Sequence, residues 1–141
     1  MRQGWQAQNA MEIARDLQAG EQREARGRIY SLKGDSVPYE DWTQADKHVA
    51  DKVFQQLNTA AYLQQRKLLP KDMLEENWGN VFRSAYRAAS ERIDERRSMG
   101  DRELWRQFED FALRLLEEAD ADPFYPSSES TRTDVVVVQD A

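Results

Sequence analysis

The chain has no cysteine and a single histidine, His48, among its 141 residues. The first absence excludes a disulfide framework, a thiol nucleophile and a thiolate metal site, and it permits a reducing compartment, with the cytoplasm as the expected location. The second leaves too few imidazoles for a histidine-based triad within one subunit, or for the paired Glu-x-x-His motifs of a bundle-type di-iron centre. His48 lies on the polar side of its helix beside Asp46 and Asp51, so a solvent-facing role is expected rather than a ligand role. No metal, cofactor or catalytic set is expected, and the chain reads as a non-enzyme.

Long apolar runs are also missing. No stretch approaches the roughly 20 residues that span a bilayer, and the opening MRQGWQAQNA lacks an apolar leader, so a soluble chain without membrane insertion is expected. An excess of base is absent too. Seven of the 26 acidic residues and one of the 20 basic residues lie from Glu117 onward, which leaves 19 of each before it. A neutral, interspersed body has no field to gather nucleic acid, and the acidity belongs to the tail.

What the chain does have is apolar residues at helical spacing. Hydrophobic residues make up 40% of it, with four Trp and five each of Phe and Tyr, enough for one folded core. Ala7, Ala10, Met11, Ala14 and Leu17 predict a helix to about Gln18, broken at Ala19-Gly20, and Ala25, Ile29 and Leu32 predict a second one ended by Gly34. After the loop GDSVPYED, Asp41 is the expected cap of a third helix, with Gln44 as its capping-box partner and a stripe from Trp42 to Ala61. Pro70 suits the opening turn of a fourth helix, carrying Leu74, Trp78, Val81, Phe82, Ala85, Tyr86, Ala89 and Ile93 until Gly100 stops it. Gly79 inside that stripe suggests a close helix crossing, or else a local bend. Asp101 is the expected cap of a fifth helix to about Ala119, with Leu104, Trp105, Phe108, Phe111, Ala112, Leu115 and Leu116 on its face.

The expected fold is therefore all-α: a bundle of three long antiparallel helices, with two short N-terminal helices packed across them, over residues 1–119. Residues 120–141 form a flexible acidic tail, rich in Pro, Ser and Thr, that ends in a valine run.

Most carboxylates stand three or four residues from a base, as Glu91 does from Arg87 and Asp94 from Arg97, which marks a solvated helix face. Glu109, between Phe108 and Phe111, has the position of a partly buried carboxylate, which would need an arginine partner or a raised pKa, and structural pairing is expected ahead of catalysis. Arg23, Arg26, Arg28 and Lys33, and separately Arg92, Arg96, Arg97, Arg102 and Arg106, form local basic clusters interleaved with acids, so ordinary solvated surface is the plainer expectation for both. Of the tryptophans, Trp42, Trp78 and Trp105 read as core anchors, and Trp5 as the least anchored and a candidate partner contact. Val135, Val136, Val137 and Val138 are the other candidate contacts, because β-branched residues at a terminus suit strand addition to a partner's sheet edge. A pocket between the long helices would be lined by Trp78, Phe82, Tyr86, Phe108 and Phe111.

The order of the segments WQAQNA, QREAR, YEDWTQAD, NTAAYLQQRKLLP, NWGNVFRSAYR and LWRQFEDFA resembles the bacterial family known as domain of unknown function 4760, over about residues 5–116. The resemblance implies a helical fold and carries no activity, cofactor or site residue. Two functions follow as expectations. The first is a non-enzymatic module that binds a protein partner or itself; the alternative is a small-ligand or sensory domain using the aromatic pocket.

Overall fold

A single residue separates the first two helices. Ala19, with ψ at 141°, leaves the helical region between α1 (Arg2–Gln18) and α2 (Gly20–Gly34), as the Ala-Gly break predicts. The computed structural model describes residues 2–121, and the other helices in it are α3 (Gln44–Gln65), α4 (Met73–Ser98) and α5 (Arg106–Ala121). From residue 122 on, the expected linker and valine run lie outside the described residues.

Three expected helix starts move, each because tertiary contacts outweigh a local signal. Asp41 does not cap α3: it closes a short 3-10 turn, Tyr39–Asp41, and the buried Trp42 that follows is extended. Thr43 takes the cap instead, its hydroxyl accepting from the Asp46 N–H at 3.1 Å while Asp46 accepts from the Thr43 N–H at 3.3 Å. Pro70 stays outside α4, because Leu69 is drawn into the core and Asp72 turns left-handed (φ 60°) just before Met73. The Gln64 amide clamps this turn, donating to the Pro70 carbonyl and accepting from the Leu74 N–H. Asp101 does not cap α5 either: Trp105, at φ 57°, breaks the chain there so that its indole can pack on Phe54 at 5.2 Å. With 16 residues, α5 is no longer than α1 with 17, and only α3 and α4 are long.

Gly79 marks neither a crossing nor a bend. A Cβ there would first meet the guanidinium of Arg83, one turn along the same helix, at 3.2 Å. The break in α4 comes ten residues later, at Ala89 (φ −141°). Gly100 ends the α4 region as expected, at φ 123°, a conformation open to glycine and strained for other residues.

Side-chain pairs set the directions. Asp51 near the start of α3 meets Arg92 and Arg96 near the end of α4, while Gln64 at the other end of α3 meets Leu74, so α3 and α4 are antiparallel. Glu75–Arg114 and Arg97–Glu109 make α4 and α5 antiparallel in turn. Arg28–Asp46 and Glu21–Lys52 lay α2 antiparallel along α3. It runs beside the long helices and not across them. Phe54, Leu57, Leu74, Phe82, Ile93 and Phe108 fill the centre with almost no accessible surface. Among the described residues, no helix is long and apolar enough to cross a membrane.

Candidate functional site

Two side chains of α1 fix its position at the far tip of α3. Gln6 donates to the Lys67 carbonyl at 3.0 Å and Asn9 to the Leu68 carbonyl at 2.8 Å, satisfying main-chain oxygens that the end of α3 leaves over. Between this prop, the α3–α4 turn and α5 lies a groove of about 750 Å³. Its floor is apolar: Ala61, Leu69 and Phe111 are all at least nine-tenths buried. Gln6, Gln64, Gln65 and Gln107 line the walls, and the rim alternates bases (Lys67, Lys71, Arg114) with acids (Asp72, Glu75, Asp110).

The rim charges balance, so the groove carries no field of one sign. Arg114 spans one edge, its guanidinium 4.9 Å from the centre of the Phe111 ring and 3.2 Å from Glu75 Oε2, while Glu75 Oε1 is enclosed without a donor. Such a surface suits a chain carrying both apolar and mixed-charge side chains.

The aromatic pocket expected between the long helices is a packed core. Phe82 and Phe108 have essentially no accessible surface and therefore line no water-sized cavity. Phe82 contacts Phe108 at 5.8 Å and Phe111 at 4.8 Å between ring centres, and Tyr86 reaches Phe108 at 6.3 Å. Trp78 and Tyr86 pack partly buried against this cluster, and of the five only Phe111 lines the groove. Trp5 is 63% exposed, next in sequence to the groove residue Gln6. Val135, Val136, Val137 and Val138 lie outside the described residues.

The remaining candidates are structural or exposed. His48 is exposed, and among the described residues no group of three or more acids or histidines is placed to hold a metal. Glu109 is buried and ion-paired, 2.7 Å from Arg97 and 3.2 Å from Arg106. The basic cluster before Gly100 points inward. Arg92 takes Asp51 in a fork at 2.8 and 3.0 Å and Glu95 at 2.7 Å, Arg96 reaches Asp51 at 2.9 Å, and Arg97 donates to the Leu104 carbonyl. Glu95 also accepts from the Tyr39 hydroxyl at 2.5 Å and from Lys47 at 3.3 Å. The Tyr39 hydroxyl, then Arg92 and Lys47, hold the Glu95 carboxyl down at about 2. Burial, and then its bond to Glu95, push the Tyr39 phenol up to about 12.

The groove residues carried little signal in the sequence. Leu69 beside Pro70 was one clue, two apolar residues in a link too short to be a helix, but Gln6, Gln65 and Gln107 are ordinary surface types. No curated protein and no solved structure matches the chain. A family model matches residues 2–115, nearly all of the helical body: the chain belongs to the family described as domain of unknown function (DUF4760).

Proposed function

We propose that the protein is a non-enzymatic binding module of the cytoplasm that seats a segment of a protein partner, or of a second copy of itself, in the groove between α1, the α3–α4 turn and α5. The observation that carries this reading is the groove itself, with its buried apolar floor and its balanced, mixed-charge rim. The exposed Trp5 beside it supplies the large aromatic anchor that such contacts favour. Val135 to Val138 form a second contact in this reading.

The test is a photoreactive amino acid placed at Asp110 in the groove or at the exposed Glu24 on α2, in the full chain inside cells. A discrete adduct from position 110 and none from position 24 supports the reading, and identical patterns from both remove it. Light scattering over a concentration series then separates the two occupants, since a mass that doubles identifies the second copy. The size of the groove also suits a small ligand. That reading is tested by competition: a metabolite that protects position 110 from crosslinking while the protein stays monomeric would displace the first.

A further inference from the structure

One torsion separates α1 and α2 from a single helix. Ala19 keeps a helical φ of −56° and leaves the helix through ψ alone, at 141°. Turning that angle back would run the two helices together as a rod from Arg2 to Gly34, about 50 Å long at 1.5 Å per residue. Ala19 and Gly20 are both exposed, and a Cβ on Gly20 would meet nothing within 4 Å, so side chains at the junction leave room for the turn.

The residue at the junction suits the rod better than the break. A helix that starts afresh favours Ser, Thr, Asp or Asn at its cap, because its first N–H groups need an acceptor. α2 has alanine there and no side-chain cap. Alanine is also the residue most at ease inside a helix. In the rod, the N–H groups of Gly20, Glu21 and Gln22 would donate to the carbonyls of Asp16, Leu17 and Gln18, the ordinary four-residue bond.

What holds the bend is the docking of α1. Among its described residues, Ile13 and Leu17 are at least nine-tenths buried, while Gln6 and Asn9 donate to the Lys67 and Leu68 carbonyls. An α1 swung out on the rod would put two apolar side chains into water and leave on the body an apolar seat with two bare carbonyls. The α1 of a second copy carries the groups that fit that seat, at the right spacing, because the sequence is the same. Reciprocal exchange restores these contacts on both chains and adds the helix bonds of the junction, which is the physical basis of domain swapping through a short hinge.

We propose that α1 is an exchangeable arm: two copies of the chain, each with Ala19 turned into the helix, form a twofold dimer in which each α1 fills the seat of the other copy. Because Gln6 lines the groove, each groove of that dimer takes one wall from the other chain. The exchange does not depend on what the groove binds.

The test is the molar mass of the full chain by light scattering over a concentration series, after warming close to Tm so that α1 can exchange. A mass that climbs toward twice that of the monomer is expected. Ala19→Asn, at an exposed site, gives α2 the cap it lacks and should disfavour each rod about fivefold, so the dissociation constant of a dimer with two hinges should rise about 25-fold. Gly20→Ala should lower that constant, since glycine is penalised more within a helix than at its end. A parent chain and a Gly20→Ala variant that both stay monomeric overturn the proposal. So does a dissociation constant unmoved by Ala19→Asn, which is what a dimer seated in the groove would give, and that outcome leaves the groove reading standing. Conversely, identical crosslinking from positions 110 and 24 removes the groove reading, and a dimer that weakens in Ala19→Asn still establishes the exchange.

Discussion

Where the Tyr39–Asp41 turn, α3 and α4 meet, Arg92, Asp51, Glu95, Tyr39 and Lys47 tie these elements together with hydrogen-bonded charges that are mostly shielded from water. Where α1, the α3–α4 turn and α5 meet, the props are two amide-to-carbonyl bonds and the half-exposed Arg114, and a groove stays open. The same helices run through both ends. What differs is whether polar groups find one another inside the bundle or are left facing a space that another molecule can fill. The tied end is built for rigidity, and in the proposed reading the open end is where a partner would bind at least cost to the fold.

The contrast is most directly broken by removing one arginine from each end. Arg92→Ala leaves Asp51 and Glu95 without their shared partner in a buried setting and should lower stability by about 3 kcal/mol in urea unfolding. Arg114→Ala, at a pair that water screens, should cost less than about 1 kcal/mol. Equal losses would erase the distinction between the ends.

Acid should find the tied end first. The Glu95 carboxyl lies at about 2 against an ordinary value of 4.5, so its contribution to stability is complete above pH 4.5 and is lost as the pH falls toward 2. The Tyr39 phenol, at about 12 against 10, contributes fully below pH 10 and loses that contribution as the pH rises toward 12. Glu95→Gln should therefore flatten the acid arm of a stability-versus-pH curve between 4.5 and 2, and a variant curve parallel to the parent's would refute the assignment.

Smaller effects sharpen the picture at single helices. Thr43→Ala removes the cap of α3 beside the tied end and should cost about 1 kcal/mol, whereas Asp41→Ala should cost little, since Asp41 caps nothing. Gly79→Ala should stabilise α4 by about 0.5–1 kcal/mol, because the new methyl meets only the end of a flexible arginine and helix propensity then decides the sign. A loss of stability there would restore the close crossing.

The five helices, the break at Ala19, the stop at Gly100 and the pairing of Glu109 were legible because each rests on local chemistry: period, backbone freedom, or a charge trapped between two phenylalanines. The starts of α3, α4 and α5 were not. In each case a buried side chain, Trp42, Leu69 or Trp105, pulls the backbone out of the helix its neighbours favour. The site was less legible still, since Phe82 and Phe108 have the spacing of a pocket wall and of a packed core alike.

By itself, then, the amino-acid order determined an all-helical body, its neutral charge, the lack of thiol and paired-histidine chemistry, and the family, all of which follow from composition and from contacts within a few residues. Only the tertiary structure decided that the aromatics fill the core and that the hollow lies under Gln6 and Leu69. Those outcomes depend on which surfaces meet across distances of 40 to 60 residues in the chain, as Gln6 meets Lys67 and Arg92 meets Asp51. No local pattern records such meetings, because burial is a property of the assembled helices and not of any one of them.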